Sequence, residues 1–284
     1  MNSIKVSELF YSIQGEGRYM GVPSVFLRTF GCNFTCDGFG MDHGVKSQAR
    51  HKVAEFISYY KDYKSLPLVE SGCDSYASWD PRFRHLSPRI TIDGLADSIV
   101  DLLPQKEWRD EHLVITGGEP LLGWQRSYPA LLSHKKMANL KELTFETNGT
   151  QKIKDDLYHF LRSWQYNGDF KHREVTFSVS AKLPASGEKW EKAIKPEVVC
   201  DYETIGTVYL KFVVATEKDI DDAERAEQEF RRKGFRGHIY IMPVGGVDRV
   251  YNLNAKNVAL AAMKRGWRYS DRLQVPLFKN EWGT

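Results

Sequence analysis

Apolar positions along the chain gather into short runs, each of which breaks into a Gly-, Asn- or Ser-bearing turn. "SVFLRTF" (24–30), "HLVITGGEPLL" (112–122), "ELTFETNGT" (142–150), "EVTFSVSAKL" (174–183), "VYLKFVVAT" (208–216) and "GHIYIMPVG" (237–245) predict strands followed by loops. Helical spacing of apolar residues separates them. It predicts helices over 45–63, over "TIDGLADSIVDLL" with Thr91 or Asp93 as cap and Pro104 as stop, over 153–164, over the charged stretch 217–233, and near 254–265. Repeated strand–loop–helix units predict an α/β fold, a parallel sheet or barrel, with function at the C-terminal ends of the strands. Residues 37–72 interrupt this progression. No low-complexity tract or internal repeat competes with it.

Several loops carry groups that could do chemistry. In "TGGEP" (116–120) two glycines let backbone approach a ligand, and Glu119 places a carboxylate where it could receive an ammonium group. Taken alone, a tight turn with a solvated Glu explains it equally well. "YSIQGEGRYMGVPSVFLR" gathers Gln14, Glu16 and Arg28 about three glycines, an amide, a carboxylate and a guanidinium suited to a polar heterocycle bearing a carboxylate. An exposed N-terminal loop is the plain alternative. "FETNGT" and "SVSAKL" add polar groups after strands, where helix caps or turns would also serve.

Cysteine placement is the sharper signal. Cys32 and Cys36, in "GCNFTCDGFGM", begin a C-x3-C spacing whose third thiolate would fall at position 39, which holds Phe39. Cys200, in "PEVVCDYE", has no motif about it and reads as a packing residue. Cys73 stands in a Gly-flanked loop with Asp74 and Ser75, whose oxygens suit a hard cation.

Composition narrows the setting. The chain has 284 residues, 42% of them hydrophobic, enough for one large α/β domain or two small ones. A net charge of +3 makes no bulk electrostatic case for nucleic-acid or membrane binding. The first residues lack the apolar core of a signal peptide, and no run approaches the ~18–20 apolar residues that span a bilayer, so a soluble, cytoplasmic protein is expected. In that reducing compartment the four cysteines are expected to be ligands, catalysts or core residues rather than disulfides.

Together, "SIQGEGRYMGVPSVFLRTFGCNFTC", "CDS", "ITGGEPLL", "ETNGT" and "SAKL" resemble the radical S-adenosylmethionine enzymes, and more narrowly the 7-carboxy-7-deazaguanine synthases of queuosine-type biosynthesis. "YIMPVG" and the ending "DRLQVPLFKNEWGT" extend the likeness over nearly the whole chain. The resemblance implies a partial TIM-type barrel and a single domain over 1–284. In that family the third cysteine is followed by Asp-Thr. The match at Cys73-Asp74-Ser75 therefore implies an insertion at about 37–72 inside the cluster loop, with Cys32, Cys36 and Cys73 as the ligands of a [4Fe–4S] cluster. The open iron would chelate S-adenosylmethionine, whose one-electron reductive cleavage yields a 5′-deoxyadenosyl radical.

By the same resemblance Asp74, Gly118, Glu119, Asn148, Ser180, Lys182, Met242, Pro243, Val244 and Gly245 surround that cofactor. Ile13, Gln14, Gly15, Glu16, Arg28 and Thr116 would hold 6-carboxy-5,6,7,8-tetrahydropterin, and Ser75 would bind Mg2+. No residue is implied as catalytic beyond the cluster and cofactor. The implied reaction is radical ring contraction to 7-carboxy-7-deazaguanine with loss of ammonia, a carbon–nitrogen lyase. An electron donor such as flavodoxin and a homodimer are implied as well, with no direct nucleic-acid or membrane partner.

Three departures stand out. Gly72 replaces the bulky residue that precedes the third cysteine, leaving Phe39, Tyr76 or Trp79 to substitute; Ser75 replaces Thr; and "SAKL" lacks the usual Pro before Lys. The rival readings are a glycyl-radical-activating enzyme acting on a partner protein, and a degenerate, non-catalytic homologue whose Cys32 and Cys36 bind zinc or nothing.

Overall fold

The computed structural model describes residues 3–166, 173–245 and 254–284. Its strands are β1 (Ser3–Ile13), β2 (Pro23–Thr29), β3 (Arg89–Thr91), β4 (His112–Gly117), β5 (Glu142–Thr147), β6 (Glu174–Val179), β7 (Thr207–Val214), β8 (His238–Pro243) and β9 (Arg268–Tyr269). They form one sheet in the order β3-β1-β2-β4-β5-β6-β7-β8-β9. From β2 to β9 every pairing is parallel, while β1 runs antiparallel to both β2 and β3. The end strands β3 and β9 do not meet, so the barrel is partial and open.

Alternation along the parallel strands divides the molecule into two faces. Leu27, Leu113, Ile115, Phe145, Phe177, Leu210 and Phe212 take one set of positions and join Leu95, Ile99, Leu161, Ala223 and Phe230 of the covering helices in the main core. The other set includes Thr116, Glu146, Ser178 and Lys211, all of which line a cavity on the inner face. Polar residues in otherwise apolar strands therefore mark the site side of the sheet.

The predicted strands and most helices are present. Thr91, not Asp93, caps the helix Ile92–Leu102, its hydroxyl accepting the Gly94 N–H at 3.2 Å. The helix expected over 45–63 is much shorter. It spans Ala49–Glu55 and gives way to single turns at Ile57–Tyr59 and Tyr63–Ser65. Asp62 and Ser65 there bond to each other's backbone N–H, a local arrangement that competes with helix continuation. No helix of the described residues is long and apolar enough to cross a membrane.

Residues 37–72 leave and rejoin the cysteine loop through a narrow neck. Gly72 N–H donates to Phe39 C=O at 2.7 Å, and Ser47 N–H to Asp37 C=O at 2.7 Å. Beyond the neck Val53, Tyr63, Leu66 and Val69 build a second small core with Tyr76, Ala77 and Phe83. Trp282 closes it, donating its indole N–H to Leu66 C=O at 2.7 Å and packing edge-on against Tyr63.

Candidate active site

The cysteine end of the cavity is built where β2 and β4 stop. Gly31 C=O accepts the Glu119 N–H at 2.7 Å, tying the Gly-Gly turn to the cysteine loop. A Cβ at Gly118 would lie 2.6 Å from Gly31 O and 2.7 Å from Cys32 Cβ, so only glycine fits that approach. Cys36 adopts φ 52°, a left-handed turn uncommon outside glycine. Glu188 holds that turn by accepting the N–H groups of Thr35 at 2.8 Å and Cys36 at 2.9 Å.

Cys73 returns from the insertion, and the three cysteines line one cavity. Cys32 Sγ accepts the Phe34 N–H at 3.4 Å and Cys73 Sγ the Trp79 indole N–H at 3.3 Å. Burial pushes the Cys32 thiol up to about 12, Cys73 up to about 11 and Cys36 well above its ordinary value. Nothing in the protein itself makes them thiolates; a bound metal group would. Among the described residues no three His, Cys, Asp or Glu side chains gather closely enough to share one metal ion. Thiolates on a single zinc lie about 2.3 Å from it. The N–H groups on the Cys32 and Cys73 sulfurs are the contacts that sulfur ligands of an iron–sulfur cluster receive.

The same cavity holds a buried charge network. Glu16 pairs with Lys211, with Arg272 Nε at 3.0 Å and with Gln274 Nε2 at 2.9 Å. Burial opposes its charge, yet Lys211 and Arg272 outweigh that and hold the carboxyl well below the usual range. Arg272 also reaches Asp74 Oδ2 at 2.7 Å, so one guanidinium bridges the Gln-Gly-Glu loop to the Cys73-Asp74-Ser75 turn. Arg28 Nε donates to Glu8 at 2.7 Å and its Nη1 to Ser75 Oγ at 3.2 Å. Gln14 Nε2 donates to Glu146 at 3.1 Å.

Asn148, Ser180, Lys182, Met242, Val244 and Gly245 also line the cavity, with Ile13, Gly15 and Thr116. Lys182 Nζ lies 3.0 Å from Ser180 Oγ and 5.8 Å from the Phe39 ring centroid. Of the aromatic substitutes, Phe39 and Trp79 face the cavity, whereas Tyr76 is buried in the small core and donates to Pro67 C=O. Two expected residues do not line the cavity. Pro243 is buried off it. The Glu119 carboxylate turns inward to accept from Thr147 Oγ1 at 2.8 Å, Asn148 N at 2.6 Å and Leu121 N at 3.0 Å. These donors fix the carboxyl at the turn, and burial pushes its pKa up to about 7. Cys200 lies apart, packed against the main core.

Lys211, Arg272, Glu146, Ser178 and Glu188 are functional neighbours that motif reading missed. Lys211 had a signal, a lone cation inside "VYLKFVV". Arg272 stood inside the family-like ending without being singled out, and Glu188 had no signal, since its partners are remote in sequence.

An open parallel barrel with a cysteine loop beyond its first parallel strand is the fold that the resemblance to radical S-adenosylmethionine enzymes implies. The solved structure of QueE from Escherichia coli shares this fold, with a TM-score of 0.50 at 19% identity over 94% of this chain and 93% of its own. The 7-carboxy-7-deazaguanine synthase of Halobacterium salinarum is 29% identical over 98% of this chain and 91% of the relative. That of Rhodopirellula baltica is 27% identical over 100% and 90%, and that of Pyrobaculum aerophilum 26% over 99% and 97%. No family model matches the chain. The protein is thus an enzyme and a relative of the 7-carboxy-7-deazaguanine synthases.

Proposed function

We propose that the chain is a single domain, with an insertion at 37–72, that converts 6-carboxy-5,6,7,8-tetrahydropterin to 7-carboxy-7-deazaguanine and ammonia. The observation that carries the reading is that Cys32, Cys36 and Cys73 line one cavity together with Glu16, Gln14 and Arg28. A [4Fe–4S] cluster on the three cysteines, with S-adenosylmethionine, supplies the radical chemistry. The protein's own groups bind and orient. Glu16, kept ionised by Lys211 and Arg272, accepts N–H groups from the pyrimidine edge of the pterin. Arg28 has five N–H donors and uses two, on Glu8 and Ser75, leaving others for the substrate carboxylate. Ser180 and Lys182 stand on the cofactor side, with Met242, Val244 and Gly245 along the wall.

Mg2+ fits Ser75 poorly in this arrangement. Its hydroxyl accepts from the cationic Arg28 and donates to Asp74 Oδ1 at 3.2 Å, and Asp74 is itself paired with Arg272. We derive no step through that ion.

The test is anaerobic incubation of the reconstituted protein with S-adenosylmethionine, reductant and carboxytetrahydropterin, read by mass spectrometry for carboxydeazaguanine. Absence of product from a protein holding ~4 Fe per chain refutes the function. A Cys73→Ala variant that retains the full iron content refutes the insertion.

A further inference from the structure

The indole of Trp79 spends its only hydrogen-bond donor on sulfur. Its Nε1–H donates to Cys73 Sγ at 3.3 Å, although a thiol sulfur is a weak acceptor. Stronger acceptors stand close by in sequence and are occupied. The carboxylates of Asp37 and Asp80 belong to the Arg50 guanidinium, which grips Asp37 at 2.9 and 3.0 Å and Asp80 at 2.6 Å. That same guanidinium lies 4.8 Å over the Trp79 ring. Arg50 belongs to the inserted helix Ala49–Glu55, whereas Trp79 lies beyond the return of the insertion and lines the cavity. The insertion therefore holds the ring whose edge meets Cys73.

Charge decides what such a contact is worth. Against a neutral thiol the bond contributes little; against a sulfur that carries negative charge it is charge-assisted and roughly twice as strong. An electron added to a thiolate-ligated group places more negative charge on its sulfurs, so a donor at Cys73 favours the reduced form. Arg50 adds to this through the ring. A cation on the face of an indole draws electron density toward itself and makes the N–H a better donor. Its own charge acts less directly, because the cations Arg50 and Arg82 are balanced by the anions Asp37 and Asp80 in one paired cluster. Cys32 has a donor as well, the Phe34 N–H at 3.4 Å, but that one is backbone and stays whatever side chain stands there.

We propose that Trp79, held and polarised by Arg50, is a positioning residue that raises the reduction potential of the group on Cys32, Cys36 and Cys73. The proposal rests on the function proposed above, which needs that group reduced by one electron. The electron comes from an external reductant, which is oxidised by one; no atom is transferred, and the indole proton stays on Trp79.

The test uses the full-length, cluster-loaded protein without S-adenosylmethionine. It is equilibrated anaerobically with viologen dyes of graded potential, with dithionite as the electron source, and the reduced fraction is read by electron paramagnetic resonance. Trp79→Phe keeps an aromatic ring under Arg50 and removes the N–H. At a fixed potential its reduced-to-oxidised ratio falls about threefold to tenfold, the range of one net hydrogen bond, which is a midpoint lower by about 30 to 60 mV for a one-electron couple. Arg50→Gln keeps the N–H and removes the cation, and its midpoint moves the same way. A loaded Trp79→Phe protein with the wild-type midpoint overturns the proposal, and weaker S-adenosylmethionine binding at an unchanged midpoint assigns Trp79 to ligand stacking instead. Where Trp79→Phe holds less iron than wild type, Arg50→Gln decides, and an unchanged midpoint there overturns the proposal equally. A wild-type protein that takes up no iron–sulfur cluster overturns the proposed function itself.

Discussion

Arg50 provides a direct way to ask whether the insertion delivers Cys73. Its guanidinium grips Asp37 with two hydrogen bonds, at 2.9 and 3.0 Å, and reaches Asp80 at 2.6 Å. It also lies 4.8 Å over the ring of Trp79, whose indole N–H donates to Cys73 Sγ. One side chain from the inserted helix thus ties the start of the insertion to the segment just beyond its return. Arg50→Ala leaves the buried Asp37 without an ionic partner, whereas Asp80 keeps Arg82. Breaking a buried pair costs about 3–5 kcal/mol, and the partial exposure of Arg50 places this one near or below the lower end, about 2–3 kcal/mol. That energy corresponds to roughly a 30- to 150-fold rise in local opening of the neck. In the metal-free variant the Ser47 and Gly72 amides, which close the neck, should exchange with deuterium faster by about that factor. In the loaded variant iron should be lost to a chelator correspondingly faster. Unchanged exchange at both amides together with unchanged iron retention would show that Cys73 is positioned without the insertion's help.

The remaining expectations concern the charge network and an orphaned imidazole. Lys211→Met removes the largest favourable influence on the Glu16 carboxyl and should cost about 3 kcal/mol in urea unfolding, since Arg272 remains. A depressed carboxyl gives stability that is present above its unfolded pKa and lost on acidification below it. The acid limb below about pH 4.5 should therefore be shallower in the variant, and an unchanged limb contradicts the assignment. His112 is fully buried with both ring nitrogens unpartnered, tilted against Tyr19 at 4.4 Å, and burial lowers its pKa to about 3. Its neutral form is favoured in the fold, so stability is lost as pH falls below about 6.5. His112→Phe should abolish that loss, worth about 2 kcal/mol between pH 6.5 and 5, and parallel wild-type and variant profiles in chemical denaturation refute it.

Much of this was legible because each strand carried its own period. The parallel strands were found as apolar runs, and the turns after them held most of the cavity lining. β1 escaped because a register shift between Val6 and Glu8 breaks its alternation. Apolar spacing over 45–63 predicts one helix, but it stops at Glu55, and Phe56 and Tyr59 beyond it are exposed. Glu119 could be placed at a strand end from sequence, but its direction depended on donors at Thr147 and Asn148 that only the adjoining strand supplies. Cys73 stands out by its Gly-flanked loop with Asp74 and Ser75, but only the resemblance of Cys-Asp-Ser to a family pattern joins it to Cys32 and Cys36. Spacing alone could not connect it to Cys36.

The length of that detour is not itself a thermodynamic obstacle. Loop closure grows with the logarithm of length, so extending a short spacer to residues 37–72 through about four doublings costs roughly 2.5 kcal/mol. Ordering the segment costs far more, on the order of 1–2 kcal/mol for each residue fixed. A bare loop would have no means of meeting that cost and would leave Cys73 among many conformations. Val53, Tyr63, Leu66 and Val69, each buried, together with the closing Trp282 provide the apolar burial that a floppy excursion lacks. Leu68, Val69 and Glu70 then join Trp282 and Gly283 on the rim of the cavity. The same packing that fixes the insertion thus shapes one wall of the cavity. A change that loosens the small core should therefore weaken the cysteine loop and this wall of the cavity together.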